Sequence, residues 1–233
     1  MRLHVAAALI FAIMKINTAI FDMDGLLIDS EPLWEEAGAE LLKEFNINLT
    51  PEQYHSSTGL RTKEWVTHWF NYFAIDGKYT DAAVENIIKK SIEKIDAHGI
   101  AMPGVPDIFL LLKEAGIKMG LATSSPLSLV DIVVDKLGIR KYLKTLTSAE
   151  GLPYGKPHPE VYINCAAEMG VAPTQCFCFE DSFNGMIAVK AARMKCIVVP
   201  APALYNLERW GTADIKLNSL LDFDIKTLNK IIQ

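Results

Sequence analysis

Short apolar runs recur along this chain, and three of them are closed by polar residues. The runs lie at 16–21, 117–122, 176–179 and 196–199, with a weaker one at 214–217. Each is too short for a buried helix and is flanked by turn residues or charges, which predicts strands. Apolar character on both faces predicts a parallel sheet covered by helices. Helical spacing fills the gaps. Ile108, Leu111, Leu112 and Ala115 form one stripe, stopped by Gly116. Leu127, Val130, Val133, Val134 and Leu137 form a second, stopped by Gly138 and opened by Ser125-Pro126 as N-cap and first helical residue. Val161, Cys165, Ala166 and Met169 form a third, stopped by Gly170. Alternation of strand and helix from about residue 103 onward reads as a doubly wound α/β core.

Residues 32–98 have a different rhythm. Leu33, Trp34, Ala37, Leu41 and Phe45 share one helical stripe, and Val84, Ile87, Ile88 and Ile95 share another. Trp65, Trp69, Phe70 and Phe73 lie between them, with no strand pattern. A small helical bundle is therefore expected between the first strand and the rest of the sheet. The expected organisation is an α/β core over 14–29 and 100–233, a helical insert over 30–99, and an extension of doubtful function at 1–13.

Composition narrows the classes of function. Half of the 233 residues are hydrophobic and 22% are charged, enough for a substantial core. The formal net charge of −5 and the lack of a long basic run argue against nucleic acid or an anionic membrane as partner. Cys165, Cys176, Cys178 and Cys196 form neither a C-x-x-C pair nor a zinc pattern with histidine, so they are expected to be reduced, buried and cytosolic. The start, MRLHVAAALIFAIMK, mimics a short signal peptide but lacks a cleavage site followed by a spacer. Residues 1–13 are expected to be an upstream extension, with Met14-Lys15 as a second start. Nothing demands an oligomer, and a cytoplasmic monomer is expected.

The chemistry collects where the apolar runs end. The first ends in Asp22-x-Asp24, the second in Thr123-Ser124-Ser125 and the third in Glu180-Asp181. In an open parallel sheet, ligands bind outside the carboxyl ends of the strands. Any one D-x-D-G could be an ordinary turn, because Asp and Gly favour turns for local reasons. Three such ends at one sheet edge point instead to a site. Clustered carboxylates repel, and a divalent cation relieves them. Oxygen ligands with no His or Cys nearby suit Mg²⁺. Lys156, fixed between Gly155 and Pro157, is either a solvated loop lysine or the cation that a phosphate dianion needs.

FDMDG at 21–25, LATSS at 121–125, GKPHPE at 155–160 and FEDSFNG at 179–185 resemble the four ordered motifs of the haloacid dehalogenase superfamily. The spacing resembles the branch whose helical cap follows the first motif. Longer runs such as FDMDGLLIDSEPLW and LPYGKPHPEVY are similar to bacterial sugar and sugar-alcohol phosphatases. The likeness covers nearly everything after residue 13. It implies a Rossmann-like core with an inserted α-helical cap domain and a Mg²⁺-dependent phosphatase of small sugar or polyol phosphates.

Carried over residue by residue, the resemblance makes Asp22 the nucleophile and Asp24 the general acid and base. Asp22, the backbone carbonyl of Asp24, and Asp181 would hold Mg²⁺, with Glu180 acting mainly through metal-bound water. Thr123, the Ser124 N–H and Lys156 would hold the phosphoryl oxygens. A cap closing over the site would choose the substrate. Glu31, Trp34, Thr58, Arg61 and Trp65 are candidates for facing it, although Trp34 and Trp65 also fit core or hinge packing. Arg61, read as a loop residue, suits sugar hydroxyls or phosphate. Asn184 would support the metal loop or cap the helix after it.

Expulsion of an alkoxide needs an acid and expulsion of halide does not, so Asp24 argues against dehalogenation. A β-phosphoglucomutase-like transferase is the nearest alternative. That branch carries a histidine where Trp34 stands, and its absence favours transfer to water. A non-catalytic sugar-phosphate binder is a further alternative, against which the intact Asp22/Asp24 pair speaks. A protein or nucleotide phosphatase is a last one.

Overall fold

The structure is a computed structural model and describes residues 16–57 and 59–233. The expectation for residues 1–13 and the suggested role of Thr58 lie outside the described residues. The chain opens with strand β1 (Thr18–Phe21) and continues into helices α1 (Glu31–Glu44), α2 (Pro51–Ser56), α3 (Thr62–Tyr72) and α4 (Thr80–His98). There follow α5 (Val105–Glu114), β2 (Lys118–Thr123), α6 (Leu127–Lys136), β3 (Leu143–Ser148), α7 (Glu160–Glu168) and β4 (Cys176–Glu180). The last elements are α8 (Phe183–Ala191), β5 (Lys195–Val198), β6 (Ile215–Lys216) and α9 (Ile225–Ile231).

Among the described residues six strands form one parallel sheet in the order β3-β2-β1-β4-β5-β6. This is the doubly wound order that places a crevice where the winding reverses, beside β1. Period 2 sends alternate side chains to opposite faces. Ala19, Phe21, Leu121, Phe177 and Phe179 meet α5, α6 and α9 on one face. Ile20, Ala122, Cys176, Cys178 and Cys196 meet α7 and α8 on the other. Phe21 stacks on Phe179 and Phe109 at centroid distances of 4.8 and 4.7 Å. That packing locks β1 into the centre of the sheet, and β1 carries the first motif. All four cysteines are buried free thiols, as expected.

The expected strands are present, with one addition. β3, reading LKTLTS, was not foreseen. It is an edge strand with only Thr147 fully buried, so its sequence lacks the apolar run that marked the others. Thr145 and Thr147 both turn their hydroxyls to Glu168 of α7. The helix stops are where the glycines placed them: Gly116, Gly138 and Gly170 all have left-handed backbone. The start of α6 differs by one residue. Pro126 is its N-cap, and the Ser125 hydroxyl is engaged elsewhere.

Helices α1, α3 and α4 gather around Leu41, Leu42, Val66, Phe70, Ala83 and Ile87, a hydrophobic cluster separate from the two that flank the sheet. The chain enters and leaves this helical part side by side. Ile28 bridges Ala101, Asp29 N–H donates to the Ile100 carbonyl at 2.9 Å, and Met102 N–H donates to Leu27 at 3.0 Å. Among the described residues no helix is long and apolar enough to cross a membrane.

Candidate active site

β1 ends at Phe21, but its ladder continues for one more bond, from Asp22 N–H to the Phe179 carbonyl at 3.0 Å. The chain then turns through a tight loop. Leu27 N–H donates to Met23 O at 2.8 Å and Gly25 N–H donates to Ile28 O at 3.0 Å. Met23, Leu26, Leu27 and Ile28 are all buried, which anchors the loop and leaves Asp22 and Asp24 at a common cavity. Gly25 has φ +70°, and a Cβ there would lie 2.3 Å from Asp181 Oδ2. The first motif therefore needs glycine both for its turn and for the close approach of a second motif.

An open cavity of about 730 Å³, counted with the solvent at its mouth, lies between the sheet edge and the helical part. Its floor includes Asp22, Asp24, Thr123, Lys156 and Asp181. Its roof includes Glu31, Trp34, Tyr54 and Trp65. Motifs far apart in sequence are thus brought together at one cavity.

Lys156 is the electrostatic centre. It is 1% exposed, and its ammonium lies 2.8 Å from Asp22 Oδ1 and 2.6 Å from Glu180 Oε1. The solvated-lysine reading is therefore excluded. Burial alone would lower its pKa, but Asp22 and Glu180 outweigh that and hold it above the usual lysine range. Glu180 is fully enclosed: Oε1 also accepts from the Tyr162 hydroxyl at 2.5 Å, and Oε2 accepts from the Ser182 N–H and hydroxyl, each at 3.0 Å. Ser182 also caps α8 by accepting from Gly185 N–H, so the cap role weighed for Asn184 belongs to Ser182.

Asp22, Glu180 and Asp181 each bring a carboxylate oxygen within 4.8 Å of the others. Burial, then repulsion from Glu180, pushes the Asp22 pKa up to about 7. The same two causes raise Asp181 well above the usual carboxylate range. Glu31, on the roof, is raised to about 8 by burial and by the charges of Asp24 and Asp22. One lysine does not balance this many acids. An oxygen-only cluster with excess negative charge is the donor set that a hard divalent cation fits.

Asp24 is held differently. Its Oδ1 accepts from the Ser30 hydroxyl at 2.7 Å and the Trp34 indole N–H at 2.9 Å, and its Oδ2 accepts from the Ser125 hydroxyl at 2.6 Å. These donors were missed. Trp34 fits its helical stripe and packs on the core, as expected, but its polar edge serves the site. Ser125 before Pro126 carries the sequence signal of a helix cap, which hides its bond to Asp24.

Thr123 is buried and its Oγ1 accepts from Ser125 N–H at 3.1 Å. The Ser124 hydroxyl donates to the Gly59 carbonyl at 3.1 Å, joining the sheet edge to the helical part. Arg61, expected at the ligand from a loop, is the last residue of the loop before α3 and stands at that helix's N-cap with extended backbone. Its guanidinium turns to the backbone carbonyls of Ala149, Leu152 and Pro153 and to Glu64.

The family model described as haloacid dehalogenase-like hydrolase matches residues 16–193. Hexitol phosphatase B of Escherichia coli K12 is 43% identical over 215 residues, covering 92% of this chain and 97% of that protein. The phosphorylated carbohydrates phosphatase of Thermotoga maritima is 28% identical over 214 residues, covering 88% and 97%. The solved β-phosphoglucomutase of Clostridium difficile superposes with a TM-score of 0.84 at 22% identity, covering 93% and 97%, and shows the same fold. By its sequence, its sheet order and its motifs, this chain belongs to the haloacid dehalogenase-like hydrolases.

Proposed function

We propose that this chain is a cytoplasmic Mg²⁺-dependent phosphatase that hydrolyses small sugar or sugar-alcohol phosphates through a phosphoryl group carried on Asp22. The observation that carries the reading is the buried Lys156 ammonium shared by Asp22 and Glu180, with Asp24 fixed alongside at the same cavity. The names of the similar proteins in Escherichia coli and Thermotoga maritima support the substrate class. Free buried thiols support the compartment.

Asp22 and Asp181 would hold the metal, with Asp24 through its backbone carbonyl. Glu180 contributes charge from behind, since both its oxygens are engaged by Lys156, Tyr162 and Ser182. The cation would neutralise the carboxylates and the charge on the phosphoryl oxygens. Asp22 attacks phosphorus, a P–O bond forms to its carboxylate, and the bond to the sugar oxygen breaks. Lys156, Thr123 and the Ser124 N–H hold the equatorial oxygens as charge builds on them. Asp24 gives its proton to the leaving alkoxide, then takes one from the water that attacks phosphorus and frees Asp22. Oδ2 of Asp24 receives one donor and Oδ1 receives two, so Oδ2 has room for that proton.

A cap domain over residues 30–99 would close the cavity and choose the substrate. Glu31 lines the roof and would accept from a sugar hydroxyl. Trp34 in place of a roof histidine favours water over a second sugar as acceptor. The test is Mg²⁺-dependent phosphate release from a panel of hexose, hexitol, glycerol and nucleoside phosphates. Asp22→Ala is expected to abolish release from every active member. Retained turnover would overthrow the nucleophile assignment, and a clear preference for nucleotides would overthrow the substrate class.

A further inference from the structure

Arg61 and Glu64 stand at the start of α3 and reach across to one short stretch of the core. Arg61 donates to the carbonyls of Ala149 at 3.1 Å and Pro153 at 3.2 Å, and to Leu152. Glu64 Oε1 accepts from Arg61 at 2.6 Å and from the Gly155 N–H at 3.0 Å. Every group they hold in the core is backbone. The next residue is Lys156. Burial works against ionised Glu64, but the bonds from Arg61 and Gly155 hold its pKa below the usual carboxylate range.

Gly155 is shaped for this contact. A Cβ there would lie 2.5 Å from Glu64 Oε2 and 2.8 Å from Arg61 Nε and Cγ. Gly155 does not have a left-handed backbone, so its turn does not demand glycine. Close approach of the Arg61–Glu64 pair does. The pair is also partly sheltered, with side chains 14% and 31% exposed. Both Nη atoms of the sheltered guanidinium are matched while its buried Nε has no partner, and the carbonyls that match them belong to one segment.

We infer that Arg61 and Glu64 are positioning residues that latch the helical part onto residues 149–155 and thereby set Lys156 between Asp22 and Glu180. The inference rests on the phosphatase reading for its kinetic consequence but not for the contact itself. Closing the helical part over the cavity makes these bonds, and opening it frees the segment that carries the phosphate-binding lysine. Site assembly is thus coupled to closure, independent of which sugar the roof selects.

The test uses the full chain with Mg²⁺, a hexitol phosphate, and an aryl phosphate that has no sugar hydroxyls. Arg61→Ala is expected to lower kcat/KM about ten- to hundredfold, by the same factor on both substrates. Gly155→Ala, which alters no charge, is expected to lower both alike. Arg61→Lys is expected not to rescue, because an ammonium lacks the fork that spans three carbonyls. Hydrogen exchange over 149–156 is expected to speed up in the Ala variants while exchange in β1 and β4 stays slow. A loss confined to the hexitol phosphate would make Arg61 a substrate contact and overturn the inference. So would unchanged exchange over 149–156. An inactive wild-type chain whose variants show the faster exchange would overturn the phosphatase reading and uphold the latch.

Discussion

Replacing Lys156 by methionine keeps much of the side chain's volume and removes the charge that two buried carboxylates share. The ammonium lies 2.8 Å from Asp22 and 2.6 Å from Glu180. Removing one partner of a buried pair costs roughly 3–5 kcal/mol, because the other charge stays buried without compensation. For a chain of this size that corresponds to a fall in Tm of roughly 6 to 20 °C. The loss must also depend on pH. Burial and Glu180 raise the folded pKa of Asp22 from an ordinary 3.8 to about 7, so the folded state holds an extra proton between them and stability falls as pH rises. Lys156 is one of the groups that lowers that folded value, so its removal raises it further and deepens the fall. Thermal melts of the metal-free variant and wild type at pH 5 and pH 8 test this. The gap is expected to be smaller at pH 5, where Asp22 is protonated, than at pH 8, with Mg²⁺ narrowing it at pH 8. An equal gap at both values, or none, would refute the reasoning that Lys156 balances ionised acids.

Metal-free wild type is itself expected to be more stable near pH 5 than near pH 8, because Asp22 and Asp181 both have raised folded pKa values, and Mg²⁺ is expected to cancel most of the difference in calorimetry. Asp24→Asn is expected to slow release of the leaving group by about 10²–10⁴-fold for alkyl phosphates and much less for aryl phosphates, since phenolate leaves without a proton; single-turnover rates of leaving-group release on the two classes decide it, because the second step is slowed for both. Trp34→Phe removes one donor to Asp24 and keeps the packing, so kcat is expected to fall about three- to tenfold on alkyl phosphates with little change in Tm.

Most of the sheet was legible because central parallel strands are buried on both faces and read as apolar runs. β3 escaped because an edge strand needs no such run: Lys144 points to solvent and threonines bond to Glu168. Asp22, Asp24, Thr123, Lys156, Glu180 and Asp181 were legible because strand ends and motif order put them at one edge. The groups around Asp24 were not. Ser30 reaches it only after a tight loop, Trp34 only through one edge of an otherwise apolar stripe, and Ser125 from the loop that follows a different strand. Arg61 shows the same limit from the other side. Its charge was legible, but its acceptors are backbone carbonyls, which any sequence has.

The central claim is that Asp22 takes the phosphoryl group. The direct measurement is peptide mapping by mass spectrometry of the Asp24→Asn variant, acid-quenched during turnover of an aryl phosphate with Mg²⁺. Loss of the Asp24 carboxylate slows the second step, so the account predicts one phosphoryl group on the peptide that contains Asp22, absent when Asp22 is also replaced by alanine. A phosphoryl group on another residue, or substrate consumed with that peptide unmodified, would contradict it.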